Sequence, residues 1–243
     1  MLEFNNTETK QGLLQHVEIG LFGDNGYGQI TNDTNRLAQF TARFNLALNR
    51  LNYLALTADG SWNASPSTNS NFNVATHDIV SGQRDYALNA QHLIVDKVFI
   101  KNASGSNTEI TSIDQSSPDT RSYLENNTGN TGTPYRYDIR NNSIVLDPTP
   151  NYAYEEGIEI WYKGEPNYFT TTDTTKTSGY SSVGDSFLIA YVKNSYAKDR
   201  QMITHINTTS SDLIQEERMV SSFFTQRSRG NRGGLRTTYQ STK

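Results

Sequence analysis

Apolar residues recur at helical spacing over only one long stretch of this chain. Leu37, Phe40, Phe44, Leu48, Leu51 and Ala55 follow one another at intervals of three and four, which places them on one face of a helix. Asn32 or Asp33 supplies an N-cap, so the pattern predicts a helix over residues 33–58, about 39 Å long at ~1.5 Å per residue. Two further helical stretches lie near the end. One starts at Asp185, with Phe187, Leu188, Tyr191, Val192 and Tyr196 on its buried side, and is expected to continue past Arg200 to Ile206. The next starts at Ser211 or Asp212, where Asp212 and Gln215 resemble a capping box, and carries Leu213, Met219, Val220, Phe223 and Phe224. Gly230, Gly233 and Gly234 are expected to end regular structure.

Between these helices the period drops from about 3.6 to 2. Short strand-like runs fall near residues 72–76, 85–88, 93–101, 109–114, 136–139, 143–146 and 158–162. Val98 and Ile100 oppose Lys97, Phe99 and Lys101, and Ile158, Ile160 and Tyr162 oppose Glu159, Trp161 and Lys163. Asn141-Asn142 suits a two-residue hairpin, because asparagine tolerates positive φ. Residues 59–71 and 115–134, crowded with Ser, Asn, Thr, Gly and Pro, read as a linker and a long loop. The predicted fold class is α+β: a helical bundle, residues 33–58 and 184–227, with an inserted antiparallel β-sandwich or barrel module, residues 70–169, and extended termini. Residues 1–32 are read as an N-terminal extension and residues 228–243 as a basic C-terminal arm. No single helix can bury its stripe alone, so the first helix is expected to pack on those that follow the module.

Composition narrows this picture. Only 34% of residues are hydrophobic, yet 14 Tyr, 10 Phe and 2 Trp are present, too many for a disordered chain. A small core, long loops and surface meant for neighbouring chains account for both. There are no cysteines, which removes disulfides and thiolate metal sites. No run approaches the roughly 18 apolar residues of a membrane span, and the first residues lack the regions of a signal peptide. A soluble protein that stays in the cell that makes it is expected. Charge is uneven: residues 227–243 hold five basic residues and no acidic one, so the net −4 of the chain becomes −9 without them.

Reactive constellations are sparse. His16, His77, His92 and His205 lie far apart, without metal-ligand spacing. Glu155-Glu156 and Glu216-Glu217 are adjacent in sequence and so do not face each other across a scissile bond. No G-x-S-x-G elbow occurs, and in the Gly23–Gly28 run Gln29-Ile30 stands where a phosphate loop needs Lys-Ser/Thr. Catalytic residues, metal and cofactor are therefore all expected to be none, and the chain is not expected to be an enzyme.

Three groups suit binding. Arg36, Arg43 and Arg50 repeat every seven residues on one helix face, either as a salt-bridged surface or as a contact row for an acidic neighbouring subunit or passing DNA. Tyr135, Tyr152, Tyr154, Trp161 and Tyr168, with Tyr137 and Tyr162, suit a core, a protein interface or a stacking platform. In the basic arm, Arg227, Arg229, Arg232 and Arg236 are interleaved with Phe223, Phe224, Leu235 and Tyr239. Apolar anchors among charges favour docking in a protein groove, with folding on binding, over a phosphate backbone or a free end.

The phrases Asp85-Tyr86-Ala87-Leu88, Tyr137-Asp138-Ile139, Ile144-Val145-Leu146-Asp147-Pro148-Thr149-Pro150 and Tyr162…Pro166…Phe169 resemble those of head-to-tail adaptor (connector) proteins of tailed bacteriophages, with Asn89 where that family has proline. The resemblance implies a virion neck protein, assembled in the host cytoplasm as a homo-oligomeric ring, commonly of about twelve subunits. Its partners would be the portal protein, tail or neck proteins and further copies of itself, with DNA only as transiting cargo and no membrane. The arm, from Phe223 to Tyr239, would dock on the portal. The alternatives are another neck or tail-completion protein and a carbohydrate-binding β-sandwich module.

Overall fold

A computed structural model describes residues 1–23, 25–58, 73–89, 92–113, 129–140 and 142–232, with the side chains of 73, 93 and 227–232 outside that set. The chain divides into two compact units. One joins Met1–Asn71 to Pro166–Lys243, and the other is Phe72–Glu165.

The first unit is helical. Helix α1 spans Leu13–Phe22, α2 Thr34–Thr57, α3 Ser182–Asp199 and α4 Ile203–Arg232. The apolar stripe of α2 is buried as its spacing predicts, with Phe40, Phe44, Leu48, Leu51 and Ala55 at 1% exposure or less. Helix α3 packs against α1, α2 and α4, and Phe187, Leu188, Val192, Val220 and Phe224 complete one core with the α2 stripe. The Asp33 carboxylate accepts from the backbone N–H groups of Asn35 (2.9 Å) and Arg36 (3.1 Å), capping α2. Asp33→Ala is therefore expected to cost about 1 kcal/mol of stability, read as a lower urea midpoint at unchanged slope, and an unchanged midpoint would remove the cap from the account.

The N-terminal residues contribute to the core of the helical unit. Leu13, Leu14 and Val17 of α1 are fully buried together with Phe4 and Ile30. Phe4 stacks on Phe169 at 4.2 Å, and its N–H donates to the Lys176 carbonyl (2.7 Å). The Leu2 N–H donates to the buried Asp185 carboxylate (2.7 Å), which also accepts from the Ser178 hydroxyl (2.7 Å). The apolar stripe of α1 occupies only ten residues, too short to stand out among polar neighbours.

The C-terminal helices also differ from expectation. Helix α3 stops at Asp199, a turn follows with Gln201 at φ 53°, and α4 begins at Ile203 rather than near Ser211. Its first turns are rich in Ser and Thr, poor helix formers. Hydroxyls of Thr208 and Thr209 bond back to the His205 carbonyl, and the Asn194 amide donates to Thr209 and Ser210, so tertiary contacts override propensity. The helix then runs past Gly230 to Arg232.

The second unit is one seven-stranded sheet. Its strands are β1 (Asn73–Ile79), β2 (Asp85–Ala87), β3 (His92–Lys101), β4 (Asn107–Ser112), β6 (Arg136–Arg140), β7 (Ser143–Asp147) and β9 (Tyr154–Gly164), in the order β1-β9-β3-β4-β6-β7-β2. Two short strands, β5 (Thr131–Gly132) and β8 (Thr149–Pro150), pair separately in parallel. The sheet nearly closes on itself. Its edge strands β1 and β2 are consecutive in the chain, and the Val80 N–H donates to the Tyr86 hydroxyl (3.1 Å) beside the join. Register shifts in β1–β9 and β3–β9 are the bulges that give such a sheet its curvature. Inside lie Val98, Ile100, Ile110, Ile144, Leu146, Ile158 and Ile160, with Val98 opposite Ile160 and Ile100 opposite Ile158.

Of the two architectures left open by the sequence, sandwich or barrel, the curled single sheet is the barrel; alternation cannot separate them because both bury every second residue. One feature differs from the sequence reading: the module is not wholly antiparallel, since β4 pairs with β6 in parallel. The long connection between them allows what a hairpin would forbid. The predicted hairpin at 141–142 joins β6 to β7, with Arg140 opposite Ser143 and Asn142 at φ 62°; Asn141 lies outside the described residues.

Candidate functional site

The arginine row of α2 is engaged within its own chain. Arg36 reaches the Gln29 carbonyl (3.0 Å) and Asp33 (3.5 Å). Arg43 pairs with Asp199 (2.6 Å) and donates to the Ser195 hydroxyl (2.7 Å) on α3. Arg50 pairs with Glu217 on α4 (2.6 Å). The heptad spacing therefore serves as stitching from α2 to the loop before it, to α3 and to α4, each partly exposed pair contributing little alone.

The aromatic residues do not form one cluster. The Tyr152 hydroxyl donates to the Lys101 carbonyl (2.8 Å) while its ring packs on the barrel core. Tyr154 is half-buried, with the Lys101 ammonium 5.8 Å from its ring centre. Trp161 lies on the outer face of β9 against Phe99 (5.1 Å) and donates its indole N–H to Glu159. Tyr135 is 57% exposed beneath the Arg136 guanidinium. Tyr168 belongs to the helical unit, where its hydroxyl donates to Asn49 (2.6 Å).

In the arm region, Phe224 is a core residue at 2% exposure, edge-on to Tyr180 and Phe223. It cannot serve as a docking anchor while α4 is in place, because it closes the core of the helical unit. Phe223 is half-buried on the same core. The side chains of Arg227, Arg229 and Arg232 and all of Leu235, Arg236 and Tyr239 lie outside the described residues.

Two polar constructions escaped the sequence. Glu18 on α1 is fully buried, and its carboxylate accepts from the N–H groups of Ile30 (2.8 Å), Thr31 (2.8 Å) and Gly28 (3.1 Å) and from the Thr31 hydroxyl (3.1 Å). The Gly-rich turn does gather backbone donors around an anion, as such turns do, and the anion is the chain's own carboxylate. A lone glutamate within an apolar decapeptide, followed by a Gly-rich turn, is the signal that could have disclosed it. In the barrel unit Asp147, 2% exposed, accepts from the Arg136 guanidinium (2.6 Å) and lies 3.9 Å from that of Arg84. Asp138 pairs with Arg140 (2.5 Å) on the same strand β6.

Titration is shifted at a few groups. Burial pushes the Tyr180 phenol far up, and its hydroxyl donates to Asn52 (2.8 Å). Burial and then the neighbouring His77 lower His92, whose ring stacks on Tyr162 at 3.7 Å. Glu216 on α4 is raised by burial and then by Asp212 one turn away. Among the described residues no group of three or more His, Cys, Asp or Glu side chains could hold a metal ion, and no helix is long and apolar enough to cross a membrane.

The geometry defines an α+β protein in which a nearly closed β-barrel is inserted into the sequence of a helical unit. Its sequence matches the family model described as SU10 adaptor protein over residues 12–227, through both units, and the chain belongs to that family of phage adaptors. No curated protein matches it.

Proposed function

We propose that this chain is a virion structural protein, the head-to-tail adaptor that forms a ring beneath the portal, joins capsid to tail and surrounds the path of the DNA. The observation that carries the reading is the family match, which extends from α1 to the last third of α4. The charge distribution supports it: without residues 227–243 the chain carries −9, and an acidic wall repels DNA enough to let it slide. The residues from Arg227 onward, including Arg229, Arg232, Leu235, Arg236 and Tyr239, act as the arm that docks on the portal.

Mass photometry of the purified chain, alone and mixed with its portal protein, tests this. The expected result is a portal-bound ring of about twelve copies, with docking lost when residues 227–243 are removed. A chain that ignores the portal overturns the adaptor reading, and a truncated chain that docks as well as the whole one overturns the arm.

A further inference from the structure

Helix α4 presents two unlike flanks on either side of its buried stripe. At about 100° per residue, Asp212, Glu216 and Met219 share one line, and Ile214, Arg218, Ser221 and Thr225 share another, roughly 160° away. The first line is acidic with an apolar end. Asp212 and Met219 are exposed, Glu216 is half-buried, and one Glu216 oxygen has no hydrogen-bond partner. Neither acid has an ion pair among the described residues, and Glu216 is raised by burial first and by Asp212 second.

The second line carries one base, Arg218, and borders a groove of about 560 Å³ between α4 and α2, where Glu217 is neutralised by its pair with Arg50. Leu54 and Ile214 line it, Ser221 and Ser222 leave room for an incoming side chain, and the exposed Arg218 has no ion pair among the described residues.

We propose that these flanks are the two halves of one head-to-tail interface between copies of this chain: Met219, with Asp212 and Glu216, enters the next copy's groove, against Ile214 and Arg218. The occupant is a second copy because both halves lie on the same helix and complement each other in charge, Asp212 and Glu216 against Arg218, none of which has an ion pair among the described residues. Two different patches that meet make a heterologous contact, which closes into a ring when the rotation allows. The charges set register and orientation, and the buried Met and Ile supply the apolar contact. This rests on the ring reading above and assigns its subunit interface.

The chain has no cysteine, so introduced thiols report without interference. Ile214→Cys and Met219→Cys placed together, one turn and more apart on α4, are too distant to pair within one copy. Under mild oxidation of the portal-bound assembly, the double variant should give a ladder of covalent multimers, and neither single variant should. Arg218→Glu should weaken assembly about tenfold, and adding Asp212→Arg should restore it to within about threefold. Both positions are exposed, so folding is preserved. A ring that forms normally with no ladder and no effect of Arg218→Glu overturns the interface and leaves the ring intact. Dimers from either single variant make the contact isologous and also overturn it. No ring under any condition overturns both readings.

Discussion

Asp147→Ala is expected to be among the most damaging single substitutions in the barrel unit, costing about 3–5 kcal/mol, the range for removing one partner of a buried ion pair. Asp147 is 2% exposed, takes a 2.6 Å hydrogen bond from Arg136, and lies 3.9 Å from Arg84. Alanine removes the buried carboxylate that faces both the Arg136 and the Arg84 guanidinium groups. The adjoining backbone depends on the same strand, since the Arg84 guanidinium and its own carbonyl both bond to Leu146. Asp147→Asn keeps an acceptor for Arg136 and should lose roughly half as much. Hydrogen exchange read on peptides of β6 and β7 gives the local answer. A loss of 3 kcal/mol raises exchange through unfolding about a hundredfold. Unchanged protection in Asp147→Ala would show that the arginines are held by other contacts and that the carboxylate is incidental.

Glu18→Ala should have a comparable effect in the helical unit, about 4 kcal/mol. The buried carboxylate is the acceptor for three backbone N–H groups and one hydroxyl, and a buried donor left unsatisfied costs ~1–3 kcal/mol. These donors lie in the turn that leads to the α2 cap, so the whole segment 25–33 should lose protection while α3 is less affected. Glu18→Gln retains one oxygen but turns an N–H₂ toward one of the donors, and should fall between. Urea unfolding gives the magnitude and hydrogen exchange the location. A Glu18→Ala chain with a wild-type midpoint would mean that water replaces the carboxylate at no cost.

Much of the local structure was legible because its information is local. The α2 stripe repeats over 24 residues, and a 3.6-residue period needs nothing beyond the chain itself to declare a buried face. The same holds for the 141–142 turn and for the alternation of β3 and β9. Helix α1 was missed because ten residues carry too few repeats, and the start of α4 was missed because its Ser and Thr residues disfavour a helix until Asn194 and the His205 carbonyl occupy them. Phe224 shows the same limit at the level of a site: beside five basic residues it reads as an anchor, while Tyr180 and α4 place it in the core.

By itself the sequence determined the long helix α2 and most of the strands, that the chain carries an acidic body with a basic end, and, through its phrases, the adaptor family. Tertiary structure alone decided that the strands close into one curled sheet with a parallel β4–β6 pair, that the arginine row stitches helices together, that Glu18 fills the Gly-rich turn, and that the two flanks of α4 differ in charge and shape. The physical reason is range. Periodicity and capping are set by residues within a turn or two, whereas strand order, ion-pair partners and grooves are set by groups as many as 183 positions apart, as for Leu2 and Asp185, which no local pattern encodes.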